Sequence, residues 1–144
     1  MPTHERLTEL PALPDTPGYA HAVAVTGKLA FISGQVAVDA EGRVVGVDDL
    51  AAQTRQALSN LHHVISRFGA DWSDVVKFTW FVLDASEVQT IRDVRDEILR
   101  PALGEVHNPA STLVQVAALF GPEFLVEVEA VVAIPEQASD VSGN

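Results

Sequence analysis

Val75-Val76-Lys77-Phe78-Thr79-Trp80-Phe81-Val82-Leu83 is the stretch on which the fold turns. Its β-branched and aromatic side chains suit a pleated, extended backbone. Successive side chains on a strand point to opposite faces, and here both alternating sets are mostly apolar. The stretch therefore reads as a central strand that must be covered on both sides.

Working upstream, Asp48 or Asp49 caps a helix running to Phe68, and Gly69 is its C-terminal stop. Leu50, Thr54, Ala57, Leu58, Leu61, Val64, Ile65 and Phe68 form one stripe at helical spacing, so this helix needs a surface to pack on. Further upstream, Asp39-Ala40-Glu41-Gly42 reads as a hairpin turn between Val36-Ala37-Val38 and Val44-Val45. Two earlier strand signals are His21-Ala22-Val23-Ala24-Val25 and Leu29-Ala30-Phe31-Ile32-Ser33.

Downstream, Ser86 opens a second helix, with Ser86 and Gln89 as a capping box and Pro101 at its end. Val88, Ile91, Val94 and Ile98 line its inner face. Two final strands are expected near 111–116 and 125–134. The pattern is thus an extended lead-in over 1–16, a single domain over 17–134 and a polar, flexible tail over 135–144. Two helices can cover only one face of a sheet of this size. Two helices leave the other face of the central strand bare, and a second copy of the chain is the economical cover. Association follows from this argument, but its symmetry does not.

The composition narrows the chemistry. Hydrophobic residues make up 47% of the 144, enough for a core, and cysteine is absent. That excludes disulfides, a thiol nucleophile and thiolate metal sites. Nine basic residues against 20 acidic ones give a net charge of −11, which opposes binding to a phosphate backbone. No apolar run is long enough to span a bilayer. The N-terminal residues lack the basic-then-apolar pattern of a secretory signal, so the expected location is cytoplasmic, with no membrane or nucleic-acid partner.

Six short motifs then fall in register: Pro17-Gly18-Tyr19, Ile32-Ser33-Gly34-Gln35, the run from Gln53 to Leu61, Gly69-Ala70 before Asp74-Val75-Val76-Lys77, Pro109-Ala110, and Val126-Glu127-Val128-Glu129-Ala130. In this order and spacing they resemble the Rid/YjgF family, also labelled endoribonuclease L-PSP. The resemblance covers roughly 17–134. It implies a chorismate-mutase-like α+β fold with a mixed sheet covered on one face by two helices, a homotrimer with its sheets inside a barrel, and ligand clefts between subunits. It also implies hydrolysis of reactive imines and enamines, such as 2-aminoacrylate, without a metal or organic cofactor.

The same resemblance assigns candidate roles. Glu127 matches the family's water-activating carboxylate, and Tyr19 matches a residue that closes over the cleft; a plug at an intersubunit seam is the other reading of Tyr19. Ser33, Gly34 and Gln35 bound the pocket, or form a strand end with a bulge, or both. In the family's deaminases an arginine follows the Pro-Ala pair and grips the substrate carboxylate. This chain has Ser111 there, with Thr112 and Leu113 after it. A serine supplies neither a charge nor a two-pronged donor. Ser111 and Thr112 together are expected to fill that subsite and to suit a neutral, hydroxylated or aromatic ligand.

Arg92 and Arg95 lie on the second helix, where one of them is a candidate replacement cation; a solvated helix face is the preferred reading. His107 lies in the loop before Pro109, beside the pocket, and is a candidate ligand contact, though a loop histidine without a partner is more often incidental. His62 and His63 are adjacent on a helix and point apart, so no metal site is expected. Two functions follow. One is an imine/enamine hydrolase acting on a non-standard small molecule; the other is a non-catalytic ligand-binding or protein-interaction trimer of the same fold. Ribonuclease activity, the older family label, is disfavoured by the −11 charge.

Overall fold

The computed structural model describes residues 4–105 and 107–136. In chain order the strands are β1 (His4–Leu7), β2 (Ala22–Val25), β3 (Leu29–Gln35), β4 (Val75–Val82), β5 (Ala110–Gln115) and β6 (Val126–Ala133). Helix α1 (Leu50–Ser66) lies between β3 and β4, and α2 (Val88–Leu103) between β4 and β5. The main sheet runs β3-β6-β4-β5. β4 is an interior strand, antiparallel to β6 and parallel to β5, so the sheet is mixed.

Alternation along β4 sets the two faces. Phe78, Trp80 and Val82 are buried in one cluster with Leu58, Leu61 and Ile65 of α1 and Ile91, Val94 and Leu99 of α2. Burying a side chain the size of Phe78 contributes about 1.5–3 kcal/mol. Lys77, Thr79 and Phe81 point the other way, onto a face that no helix covers. On that face Phe31 of β3 is 77% exposed, and Leu29 and Val114 are exposed as well. The α+β class and the two helices on one face are as the sequence indicated.

The extended lead-in contains a strand: β1 pairs antiparallel with β2. It is tied down by Arg6, whose Nε donates to the Asn108 carbonyl at 3.0 Å and whose Nη2 donates to the Ser73 carbonyl at 3.1 Å. The second helix does not start on a Ser86–Gln89 capping box. Asp84 instead accepts from the Ser86 amide at 2.9 Å over a single 3-10 turn, Ala85–Glu87, and α2 follows from Val88. Pro101 does not end α2 either. It sits in the last turn, where a missing N–H removes one bond of the ladder, and Gly104 with φ +62° stops the helix. The residues 137–144 of the expected tail lie outside those described.

α1 starts as read, with the Asp49 carboxylate accepting from the Ala52 amide at 3.0 Å. It ends at Ser66, two residues short of Phe68, and a tighter turn carries the chain to Gly69 at φ +71°.

Candidate functional site

β5 is the edge strand, and its outer side receives the chain just before β2. The Ala20 amide donates to the Pro109 carbonyl at 2.8 Å, and Ala20 pairs parallel with Ala110. That bridge carries Tyr19 to the edge beside Ser111. Ser111 is in register with Phe78, and Leu113 with Trp80, so both project toward the helices. Together with Val88, Ile91, Arg92 and Arg95 of α2, these residues line a cavity of about 180 Å³. Thr112 does not join them. It is in register with Thr79 and projects from the open face, because neighbours on a strand alternate. The expected two-hydroxyl subsite is therefore a single hydroxyl, that of Ser111.

Glu127 belongs to the open face. It lies opposite Phe81, which in turn lies opposite Val114, and the three form one row across the sheet. On its other flank β3 is irregular: Ile32 pairs with Ala130 and Gln35 with Val128, so Ser33 and Gly34 form a bulge. A Cβ on Gly34 would stand 2.0 Å from Glu127 Oε2 and 2.6 Å from its Cδ, so the carboxyl group lies directly against the glycine. Burial raises the Glu127 carboxyl above the usual range, and the neighbouring Glu129 charge adds to the shift. Desolvation and a like charge both oppose ionisation, which makes this group a better proton acceptor than an ordinary glutamate.

Gly34→Ala tests that contact. The added methyl displaces the carboxyl, since a flexible side chain yields before a strand does. The pKa of the displaced carboxyl should return toward the ordinary glutamate range with little change in melting temperature, as titration and thermal denaturation would show together.

The bulge also turns Gln35 away. Its Nε2 donates to the Ser33 carbonyl at 3.0 Å, and the residue borders a second cavity of about 460 Å³ with Gln56, Asn60 and His63 of α1. Ser33 is exposed at the bulge. His107 is exposed and lines neither cavity. His62 bonds to Asp71 at 2.9 Å and stacks on Trp72; among the described residues no group of three or more His, Asp or Glu is placed to hold a metal.

Arg95 departs most from expectation. It is not on the solvated face: it is only 9% exposed and borders the Tyr19–Ser111 cavity. The signal was present in the spacing. Arg95 follows Ile91 by four and Val88 by seven, which puts it on the inner stripe of α2. Arg92 reaches the same cavity from an exposed position. Within one chain, then, Tyr19, Ser111, Leu113 and the two arginines converge on the helix side of β5, while Glu127, Gly34 and Ser33 converge on the open face. The sheet stands between the two groups.

Among the described residues no helix is long and apolar enough to cross a membrane. The model of the family described as endoribonuclease L-PSP matches residues 11–134. A RutC family protein of Synechocystis is 31% identical over 118 residues, 81% of this chain and 86% of its own. A 2-iminobutanoate/2-iminopropanoate deaminase of Salmonella typhimurium is 32% identical over 108 residues, 73% of this chain and 79% of its own. Among solved structures, a protein of the conserved Rid family from Yersinia pestis superposes with a TM-score of 0.78 at 33% identity, covering 90% of this chain and 98% of that one. Sequence motifs, sheet order and these likenesses agree: the chain belongs to the Rid/YjgF family, the endoribonuclease L-PSP family, which includes imine deaminases.

Proposed function

We propose that this chain is a cofactor-free hydrolase of a small imine or enamine, and that its site is completed between copies in a homotrimer. The observation that carries the reading is Glu127, a carboxyl of raised proton affinity pressed against the glycine of a β-bulge. The bare sheet face bearing Glu127 and the α2–β5 edge bearing Tyr19 and Ser111 are two halves that one chain keeps apart. Apposing the open face of one protomer to the α2–β5 edge of the next unites them in a single cleft and covers Phe31.

In such a cleft Glu127 accepts a proton from water as its oxygen bonds to the imine carbon. The C=N π pair moves to nitrogen, which takes up the proton from Glu127 and restores the carboxylate. Transfer of the new hydroxyl's proton to nitrogen and cleavage of the C–N bond then release ammonia and leave a carbonyl. Tyr19 is suited to hold the nitrogen end by its phenol. Ser111, where arginine-bearing relatives hold a carboxylate, makes the substrate a non-standard one in the way it is gripped.

The test is release of ammonia and carbonyl product from enzymatically generated 2-aminoacrylate, 2-iminobutanoate and an aromatic imine. Turnover of at least one is expected, from a particle three times the chain mass. A pure, folded protein that turns over none of them would sink the proposal. The separation of Glu127 from the Tyr19 cavity in one chain favours the second reading, a non-catalytic ligand-binding trimer. That reading predicts ligand binding that Glu127→Gln leaves unchanged, with no turnover to lose.

A further inference from the structure

We infer that Arg95 and Arg92 of α2 form an anion subsite, which grips the carboxylate of a small ligand from the helix side of the Tyr19–Ser111 cavity. The inference rests on the hydrolase reading of that site and names the ligand class it takes. Its basis is the charge of the lining. The cavity is bordered by two guanidinium groups and no carboxylate, over an apolar wall of Trp80, Ile91 and Leu113.

A nearly buried arginine is costly unless its donors are used. Arg95 spends Nε and Nη2 on one oxygen, Asp96 Oδ1, at 3.0 Å each. A guanidinium carries five N–H donors in a planar fork, and no other partner is found for it among the described residues. Asp96 is itself 44% exposed and shared with Arg100 at 3.6 Å.

The guanidinium is also held in place. Gly18 lies against it so closely that a Cβ there would be 2.2 Å from Nη2 and 2.7 Å from Cζ. A fork wedged between a glycine backbone and an aspartate, with donors left over, is preorganised for a planar oxyanion. Arg92, three residues earlier, has no hydrogen bond or ion pair among the described residues and adds a second positive charge at the mouth. At about 180 Å³ the cavity is smaller than the roughly 300–1,000 Å³ of drug-sized pockets. The ligand is therefore a carboxylate of a few heavy atoms with a short apolar group, and not the neutral molecule that Ser111 alone suggests.

Calorimetric titration with 2-oxobutanoate and with butan-2-one isolates the charge, since the two differ by a carboxylate in place of a methyl. The wild-type chain should bind the oxo acid about tenfold tighter or more. Arg95→Gln should abolish most of that preference, and Arg92→Gln should reduce it less. Because Arg95→Gln alters a buried position, Asp96→Asn provides an independent arm. It removes the competing carboxylate at a half-exposed site and should tighten oxo-acid binding about threefold. Equal binding of acid and ketone by the wild type, or no tightening in Asp96→Asn, would overturn the subsite. Charge preference without imine turnover keeps the subsite and defeats the hydrolase reading. Turnover whose KM ignores Arg95 does the reverse.

Discussion

Glu127→Gln is expected to lower imine hydrolysis by about 10²–10⁴-fold, the range for loss of a positioned general base, while leaving the chain folded and more stable at neutral pH. The amide keeps the shape that fits against Gly34 but cannot accept a proton from water. The stability gain follows from the direction of the carboxyl's shift. Burial first, and the Glu129 charge second, raise its pKa in the folded state. A group raised in this way favours folding most when protonated, below its unfolded-state pKa. That contribution is lost as pH rises through the higher folded value. Glutamine has no such loss. The melting temperature of the variant should therefore exceed that of the wild type near neutrality and converge with it in acid. The wild-type rate should fall as pH drops through the same raised value. A variant that keeps its rate would show that another group moves the proton.

Glu127 also illustrates what can be read from one dimension. Its presence beside Glu129 on one strand face was legible, because period-two alternation needs only counting. β4 and the stripe of α1 were legible for the same reason: their patterns are long and each buries one face. β1 was not, because His4-Glu5-Arg6-Leu7 has no apolar run; it is a strand through its pairing with β2 and the Arg6 bonds to distant carbonyls. The bulge at Ser33–Gly34 was open as a reading, but its consequence was not. One extra residue sends Gln35 to the helix side and brings Gly34 against Glu127, and both depend on the register with β6. Ser111 and Thr112 were separable in principle, since adjacent strand residues cannot share a face. Arg95 was masked by a general expectation that helix arginines are solvated, which its spacing from Val88 and Ile91 contradicts.

Gln53→Leu is expected to cost about 3 kcal/mol of stability, from bonds rather than volume, because leucine nearly fills the same space. Gln53 is fully buried on α1. Its Nε2 donates to the Gly46 carbonyl at 3.1 Å and the Glu123 carbonyl at 2.9 Å, and its Oε1 accepts from the Leu125 amide at 2.8 Å. One side chain thus clamps the turn that enters α1 to the loop that enters β6, the strand bearing Glu127. Leucine leaves the Glu123 carbonyl and the Leu125 amide without this partner, at about 1–3 kcal/mol for each that water cannot reach, while the Gly46 carbonyl keeps the Asp49 amide. Loop movement lets water recover part of that, hence a total below the upper end of the sum. For a chain of this size the loss corresponds to a melting temperature lower by about 10 °C. Arg55→Ala, two residues along the same helix, is the contrast. Its ion pair with Glu97 at 2.9 Å is half-exposed on both sides, and solvent screens such pairs so that they add little stability. Thermal denaturation of the two variants separates buried clamp from surface pair. If Gln53→Leu melted no lower than Arg55→Ala, water would be satisfying both orphaned groups and the clamp would carry no stability. A large drop together with slower hydrolysis would tie the entry of β6, and hence the placing of Glu127, to a glutamine on α1.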